Sequence, residues 1–330
     1  MTERRTGSAE GPAANSSAPP LVEEAGLLVG AHVSTRGGID RAINAGVAIG
    51  AEAIQIHPSP PQTWRPLRLD AETVEAFTTK WRGSGLRAHY LHAVYLVNLA
   101  ADTPLLVEQS VASLVHHLEL AARLGATGVV FHPGSHKGAG FEARRGQMAE
   151  AIDAVLARSD APVRLLIENS AGQGGCVGSS FAEIAAIVGD AAPDERLGVC
   201  LDTCHAFASG YDLRDPHAAD AVVDLFAAEV GMERLALVHV NDSRTELGGR
   251  SDRHANLGEG RIGWAGFRAL LSDPRLRGVP WILETPGDGS GPTRAAVDDL
   301  RALAAACRPE LVQSGLEGAD RDRSWLSIIS

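Results

Sequence analysis

Eight short apolar runs in this chain each end in a residue that can bind a metal ion or move a proton. The runs are strand-like in length and rich in Val, Ile and Leu, and most are separated by roughly 25 to 45 residues, enough for a helix and its loops. Parallel strands need crossovers of this size, and eight such units close a (β/α)₈ barrel, whose chemistry lies at the C-terminal ends of the strands. The sequence therefore predicts a TIM barrel with a ring of His, Asp and Glu around one mouth. The predicted strands cover residues 27–32, 53–57, 87–92, 128–132, 163–168, 197–202, 235–239 and 280–284.

Amphipathic segments lie between the runs, and several begin with Asp, Ser or Pro and end at Gly, as helices prefer. One of them has Val111, Leu114, Val115, Leu118 and Ala122 at helical spacing, which is typical of a helix packed on the outside of a barrel. The predicted helices cover residues 38–50, 70–84, 104–125, 141–158, 180–189, 215–231, 264–273 and 293–307. We expect residues 1–25 to be a disordered tail, because they lack periodicity, and residues 309–330 to be a C-terminal tail, which leaves 26–308 for the barrel.

The overall charge limits the classes of function. A net charge of −11 over 330 residues argues against a protein that simply coats nucleic acid, although it permits local DNA binding where divalent ions offset buried carboxylates. The four cysteines form no CxxC pair, which favours a reduced, cytoplasmic compartment. No apolar run reaches the length of a membrane span, and the N-terminus has no apolar signal core. The sequence therefore predicts a cytoplasmic protein without a membrane partner.

Two short segments combine a carboxylate with an imidazole. Asp202 and His205 lie three residues apart at a strand end, and Asp252 and His254 lie two apart in the long loop after the seventh strand. Oxygen and nitrogen donors together suit Zn²⁺, Mn²⁺ or Fe²⁺ rather than Ca²⁺. A histidine on its own is more often structural than a ligand, and we assign His116 and His117, within a predicted helix, to surface or packing roles.

The full set of candidate donors is too large for one metal ion. A catalytic zinc usually takes three protein ligands and an open position, so nine donors can serve three ions, two of them joined by a shared carboxylate. Four of the nine are acidic and would repel one another without cations between them. The nine candidate ligands are His92, His132, Glu168, Asp202, His205, His239, Asp252, His254 and Glu284.

The motifs around these donors resemble the endonuclease IV family, the zinc-dependent apurinic/apyrimidinic (AP) endonucleases of base-excision repair. The resemblance covers about residues 28–305. It rests on Gly-Ala-His-Val-Ser at 30–34, His-Ala-Val-Tyr-Leu-Val-Asn at 92–98, Phe-His-Pro-Gly-Ser-His at 131–136, Ile-Glu-Asn-Ser-Ala-Gly-Gln-Gly at 167–174, Val-Cys-Leu-Asp-Thr-Cys-His at 199–205, His-Val-Asn-Asp-Ser-Arg at 239–244, Asp-Arg-His at 252–254, Leu-Gly-Glu-Gly at 257–260 and Ile-Leu-Glu at 282–284.

The resemblance implies a barrel that holds three zinc ions and hydrolyses the phosphodiester on the 5′ side of an abasic site, leaving a 3′-hydroxyl and a 5′-deoxyribose phosphate. It also implies a 3′-repair phosphodiesterase activity. The enzyme is expected to be a monomer, and its partner is double-stranded DNA with abasic sites or 3′-blocked ends. A hydroxide shared by two zinc ions would be the nucleophile, with Glu168 and Glu284 as the catalytic carboxylates. By resemblance, the three ligand sets are His92, His132 and Glu168; Glu168, Asp202, His239 and Glu284; and His205, Asp252 and His254.

One loop departs from the family pattern. The segment His-Pro-Ser-Pro-Pro-Gln-Thr-Trp at 57–64 has no Lys or Arg, whereas the family has a basic loop that contributes an arginine to DNA. Gln62 aligns with that arginine, and we expect Arg65 to substitute for it. Tyr95 and Leu96 match the family loop that wedges into the base stack, and Arg253 is a further candidate DNA contact.

Two other functions fit a metal-binding barrel. Sugar isomerases of the xylose-isomerase-like kind bind one or two divalent ions at equivalent strand ends, but they lack the Asp-Arg-His element and the motif at 92–98. A catalytically silent DNA- or metal-binding barrel would be favoured by loss of a bridging ligand, and every ligand position is filled here.

Overall fold

The eight predicted strands form a closed parallel barrel in the computed structural model, which describes residues 27–307. Each barrel strand lies within two residues of its predicted bounds, and two further short strands pair antiparallel in the loop after the seventh. In chain order the strands are β1 (Val29–His32), β2 (Ala53–Ile56), β3 (Ala88–His92), β4 (Gly128–Phe131), β5 (Arg164–Glu168), β6 (Leu197–Asp202), β7 (Leu235–Val240), the short β8 (Asp242–Ser243) and β9 (His254–Ala255), and β10 (Trp281–Leu283). Neighbours follow chain order around the ring, and β10 closes it between β7 and β1.

The helices surround the barrel as a TIM barrel requires. They are α1 (Arg41–Ala48), α2 (Ala71–Arg82), α3 (Pro104–Leu124), α4 (Arg145–Ala157), α5 (Phe181–Asp190), α6 (Thr203–Ser209), α7 (Pro216–Glu229), α8 (Gly263–Ser272) and α9 (Arg294–Ala306). The eight predicted helices all form, although α4 begins four residues later than expected. In five helices the side chain of the first flanking residue accepts a hydrogen bond from the backbone N–H three residues on, which satisfies a donor that the helix leaves free. These capping residues are Asp70, Ser180, Asp202, Asp215 and Thr293.

Helix α6 was not predicted. Asp202 ends β6 and caps α6 at once, because its side chain accepts a hydrogen bond of 2.7 Å from the backbone N–H of His205. Gly210 ends the helix in the left-handed region, at φ 112°. We interpreted this segment as a run of ligands at a strand end, and its seven residues are too few to show a helical period.

Apolar side chains pack in two layers. Inside the barrel lie Ala53, Ala88, Tyr90, Val130, Leu166, Cys200, Leu237 and Ile282. A larger layer fills the space between the strands and the helices, where Val111, Leu114 and Leu118 of α3 are buried as predicted. Val115 is half-buried, and Ala122 is exposed, so that part of the helix prediction was wrong.

Both predicted tails, 1–25 and 309–330, lie outside the described residues. Across residues 27–307, no helix is long and apolar enough to cross a membrane. All four cysteines are free thiols.

Candidate metal centre

The nine candidate ligands meet at one mouth of the barrel. Parallel strands all end on the same face, so residues at or just after their C-terminal ends come together even when they are far apart in sequence. His92, Glu168 and Asp202 are the last residues of β3, β5 and β6, and His132 and Glu284 directly follow β4 and β10. His239 lies near the end of β7, His205 lies in α6, and the loop with β8 and β9 brings in Asp252 and His254.

The donor atoms gather into groups of metal-site size. Three groups have all their donor atoms within 4.8 Å of one another, and Glu168 belongs to two of them. The groups are His92, His132 and Glu168; Glu168, Asp202, His239 and Glu284; and His205, Asp252 and His254. A fourth group consists of Asp202, the Cys204 thiol and His254. Sequence reasoning had not considered Cys204 as a ligand.

Glu168 is the central carboxylate. It is almost completely buried, with Oε2 lying 3.1 Å from His92 Nε2 and 3.5 Å from His132 Nε2. Its other oxygen lies 2.9 Å from His239 Nδ1 and 3.4 Å from His205 Nδ1. One side chain therefore contacts donors of all three groups and belongs to two of them, which is the geometry of a shared ligand.

Four histidines each present one ring nitrogen to a carboxylate. Each ring donates from one nitrogen to an oxygen that can only accept: His92 to Ala93 O (2.8 Å), His205 to Asn169 O (3.0 Å), His254 to Glu284 O (3.2 Å) and His239 to Gln55 Oε1 (2.8 Å). The second nitrogen of a neutral ring is then a lone pair, and in all four it faces a carboxylate oxygen at 2.9–3.3 Å. Two acceptors at this distance are stable only with a proton or a metal ion between them.

The pKa values of groups in the centre also indicate that positive charge is favoured there. Burial alone would lower the pKa of His205 and His254, but the carboxylates Asp202 and Asp252 raise it, well above its usual range for His205 and to about 9 for His254. Burial also raises the pKa of the completely buried Asp202 carboxyl. The centre therefore favours positive charge beside its carboxylates.

These observations fit metal ions of the zinc type. Nitrogen and carboxylate oxygen donors in groups of three or four are the ligands that zinc takes. His254 Nε2 is buried and makes no hydrogen bond, although it lies 3.1 Å from Asp252 Oδ1. A buried imidazole nitrogen that makes no hydrogen bond and lies beside a carboxylate has the chemistry of a metal ligand.

Three buried amides hold the ligands, and sequence reasoning missed all of them. The Gln55 amide donates to Glu284 Oε1 at 2.6 Å, which turns its oxygen toward His239. Asn241 Nδ2 donates to Asp202 Oδ2 at 2.7 Å, and Asn169 accepts from the Asp202 backbone N–H at 2.6 Å. Such second contacts fix the orientation and tautomer of metal ligands.

The loop with the predicted wedge residues lies at the rim of the centre. Tyr95 is 55% exposed, and its hydroxyl donates to His57 Nε2 at 3.3 Å, while the two rings meet edge to face. The Tyr95 N–H also donates to Pro61 O at 2.9 Å, so the proline-rich loop and the Tyr95 loop are bonded to each other. His57 was not in the predicted site.

The other candidate DNA contacts differ in accessibility. Gln62, Arg65 and Arg253 are exposed, whereas Leu96 is half-buried and packs on the core. Asp242, which was not predicted, is fully buried and accepts hydrogen bonds from the backbone N–H groups of Gly258, Gly260, Ile262 and Gly263. It holds the Leu-Gly-Glu-Gly loop against the centre.

The fold and its donor groups define a metal-binding barrel of the xylose isomerase-like class, and the family model of that description, a xylose isomerase-like TIM barrel, matches residues 43–306. The chain is 46% identical to the probable endonuclease 4 of Oleidesulfovibrio alaskensis over 80% of this chain and 90% of that protein. It is 38% identical to the probable endonuclease 4 of Methanoculleus marisnigri over 85% of this chain and 100% of that one. The protein belongs to the endonuclease IV family, as the sequence motifs indicated.

Solved structures agree with this assignment. Endonuclease IV from Thermus thermophilus superposes with a TM-score of 0.72 at 41% identity, covering 86% of this chain and 99% of that one. A D-tagatose 3-epimerase-like protein superposes with a TM-score of 0.63 at 17% identity, covering 87% and 99%. At that identity the second likeness shows a shared fold alone, so it gives no support to a sugar-isomerising function.

Proposed function

We propose that this protein is a zinc-dependent DNA repair endonuclease that hydrolyses the phosphodiester 5′ to an abasic site and leaves a 3′-hydroxyl and a 5′-deoxyribose phosphate. The observation that carries the proposal is the arrangement of three donor groups at one mouth, two of which share Glu168, with one ring nitrogen of each of four histidines facing a carboxylate. A site for one ion would not need this many donors. Membership in the endonuclease IV family supports the choice of DNA as substrate.

Each group of donors would hold one zinc ion, with Glu168 shared by the first two. His92 and His132 complete the first set, Asp202, His239 and Glu284 the second, and His205, Asp252 and His254 the third. Bound zinc supplies Lewis acidity, which lowers the pKa of water and neutralises phosphate charge.

Hydrogen bonds from neighbouring amide side chains orient the candidate ligands of this centre. Gln55 holds Glu284 and His239, Asn241 holds Asp202, and His239 in turn contacts Glu168, so the catalytic carboxylates Glu168 and Glu284 would stay fixed while the substrate binds. Preset polar groups need no rearrangement at the moment of reaction, which is the main source of electrostatic catalysis.

The rim residues would bind the DNA. Tyr95 is the exposed wedge and Leu96 supports it from the core, while Arg65, Gln62 and Arg253 reach the backbone or the lesion. We propose double-stranded DNA with abasic sites or 3′-blocked ends as the partner of a monomeric, cytoplasmic enzyme. A 3′-blocking group is also linked through a phosphate ester, so the same centre would remove it.

Incision of a duplex with one tetrahydrofuran abasic analogue tests the activity. The zinc-loaded protein should cut once, 5′ to the analogue, and leave a 3′ end that a polymerase extends. Prolonged chelation should abolish incision, and added zinc should restore it. An intact zinc-loaded protein that leaves the duplex uncut would refute the function.

Metal content tests the three-ion centre separately. We expect about three zinc equivalents per chain by elemental analysis of protein purified without chelator, because nine donors with one shared carboxylate fit three sites. One equivalent or fewer, with full activity, would rule out the trinuclear centre.

A further inference from the structure

A second polar cavity lies outside the metal centre, between the loop that follows β2 and one face of α3. Its volume is about 340 Å³, within the range of small-molecule sites. None of the nine metal-centre donors lines it, and neither does any carboxylate. The charged side chains that line it are therefore basic.

The first observation is a buried histidine with a free nitrogen. His117 lines the cavity and is 3% exposed, and its Nδ1 donates to the Ser113 carbonyl of its own helix at 2.7 Å. Its Nε2 is buried and has no hydrogen-bond partner among the described residues. Burial lowers the pKa of His117 to about 4, so near neutral pH the ring is uncharged and Nε2 can only accept. It suits a ligand that presents an N–H or O–H group.

The second observation is a pair of unpaired cations. Arg65 and Arg68 both line the cavity, and both are exposed. Neither guanidinium has an ion-pair or hydrogen-bond partner within residues 27–307. Most other arginines of the fold are paired, for example Arg145 with Asp190 and Arg275 with Asp273. Two free guanidinium groups beside one cavity suit a phosphate.

The third observation is an aromatic wall. Trp64, half-buried on the core, lines the same cavity. An indole ring is a stacking platform for a planar base, and such stacking does not depend on which base is present.

We propose that this cavity binds one nucleotide, with its phosphate at Arg65 and Arg68, its base on Trp64, and an amino or hydroxyl group of the ligand donating to His117 Nε2. A nucleotide carries an anion, a planar ring and a hydrogen-bond donor within a volume that the cavity can take. The nucleotide is either a free mononucleotide or one displaced from a DNA strand. Arg65 is shared with the DNA contacts proposed above, whereas Trp64, Arg68 and His117 are not, and the test of this site does not require incision.

Photocrosslinking locates the ligand directly. The zinc-loaded protein is labelled with 8-azido-dAMP and digested, and the labelled peptides are identified by mass spectrometry. We expect label in the segments 59–68 and 109–117, in addition to any at the metal centre. Excess dAMP should remove this label, whereas deoxyribose 5-phosphate should not, because it has no base to stack.

Matched variants assign the binding to named groups. Arg68→Gln and His117→Gln should each reduce cavity labelling about tenfold, the usual effect of losing one charged or buried hydrogen bond. Arg82→Gln, an exposed arginine at the end of α2 that does not line the cavity, is the control and should label like the unchanged protein. Thermal melting checks the fold of each variant, and the exposed Arg68 keeps the test valid if His117→Gln is unstable.

A duplex with one abasic analogue, added as competitor, separates the two sources. Loss of cavity label means that a nucleotide of the DNA strand occupies the cavity, and retained label means that a free nucleotide does. The proposal is overturned if neither segment is labelled, or if both cavity variants label like Arg82→Gln. It is equally overturned if deoxyribose 5-phosphate competes as well as dAMP, because the cavity then recognises only an anion.

Discussion

Replacing the shared carboxylate is the sharpest test of the metal centre. Glu168→Gln keeps the size of the side chain but removes its charge, and it places an amide N–H₂ group where a carboxylate oxygen now faces imidazole nitrogens. Glu168 Oε2 lies 3.1 Å from His92 Nε2, and Oε1 lies 2.9 Å from His239 Nδ1, so the amide N–H₂ group opposes one ligand set while the remaining oxygen meets the other without its charge.

The size of the effect follows from these contacts. A hydrogen bond or ligand contact to a charged group contributes about 1.5–3 kcal/mol, and Glu168 loses one such contact to each of two sites. The barrier should therefore rise by roughly 3–6 kcal/mol, which corresponds to a fall in kcat of about a hundredfold to ten-thousandfold. Burial raises the pKa of Glu168, but the surrounding rings, foremost His132 and His239, hold it well below its usual range without metal, so the charge also stabilises the fold and the variant should lose stability as well as activity.

The assay is incision of the abasic duplex at saturating zinc, together with elemental analysis of the variant. We expect fewer than three zinc equivalents and kcat below one hundredth of the unchanged value. Glu150→Gln makes the same chemical change on the exposed face of α4 and should leave both quantities unaltered. If Glu168→Gln keeps more than about a tenth of kcat, a barrier change under ~1.4 kcal/mol, Glu168 is not the bridging ligand.

Three further outcomes are expected. Tyr95→Ala and Arg65→Ala should each raise KM for abasic DNA more than Gln62→Ala does, because each loses roughly 1–3 kcal/mol of binding free energy. The zinc content should not change. A larger effect of Gln62→Ala would show that the loop works as in the rest of the family. In the metal-free protein the pKa of His254 is raised to about 9, so its stabilising contribution is complete below the unfolded value near 6.5 and is lost as pH rises through 9. The Tm of metal-free protein should fall between pH 6.5 and 9 relative to the zinc-loaded form, and parallel Tm curves would contradict this. Binding should be tighter to abasic than to intact duplex at matched salt, because the net charge of −11 gives little non-specific attraction and a site without a base is easiest to open; equal Kd values would count against it.

The sequence was sufficient for the barrel and for the positions of the candidate ligands, because both follow from local patterns. A parallel strand places its last residue at the common mouth, so a polar residue after an apolar run could be assigned to the centre without knowing its neighbours. His92, Glu168 and Asp202 are of this kind. The grouping of the donors came from the family resemblance, since spacing in sequence does not say which strand ends are close.

The positioning residues could not be predicted in the same way. Gln55 interrupts an apolar strand, and its partners Glu284 and His239 are remote in sequence. A single polar residue in a strand indicates burial or an inward face, but only the closed ring brings those partners near. The signal for α6 was present, as Asp202 before the helix and Gly210 after it, but two capping residues do not define a helix of seven residues.

The bond between Tyr95 and Pro61 has a consequence for how the protein meets DNA. Ordering a flexible side chain at an interface costs about 0.5–1.5 kcal/mol, and a loop that folds on binding adds to that cost. Here three prolines stiffen the loop at 57–64. The Pro61 carbonyl and the His57 ring of that loop already hold Tyr95 by hydrogen bonds, so the conformational entropy of the Tyr95 loop is lost when the protein folds and not when DNA binds. The rim is preorganised, and in the proposed complex the change of shape would fall on the nucleic acid. Recognition then selects the most pliable DNA, and a helix that has lost a base bends and opens more readily than an intact one.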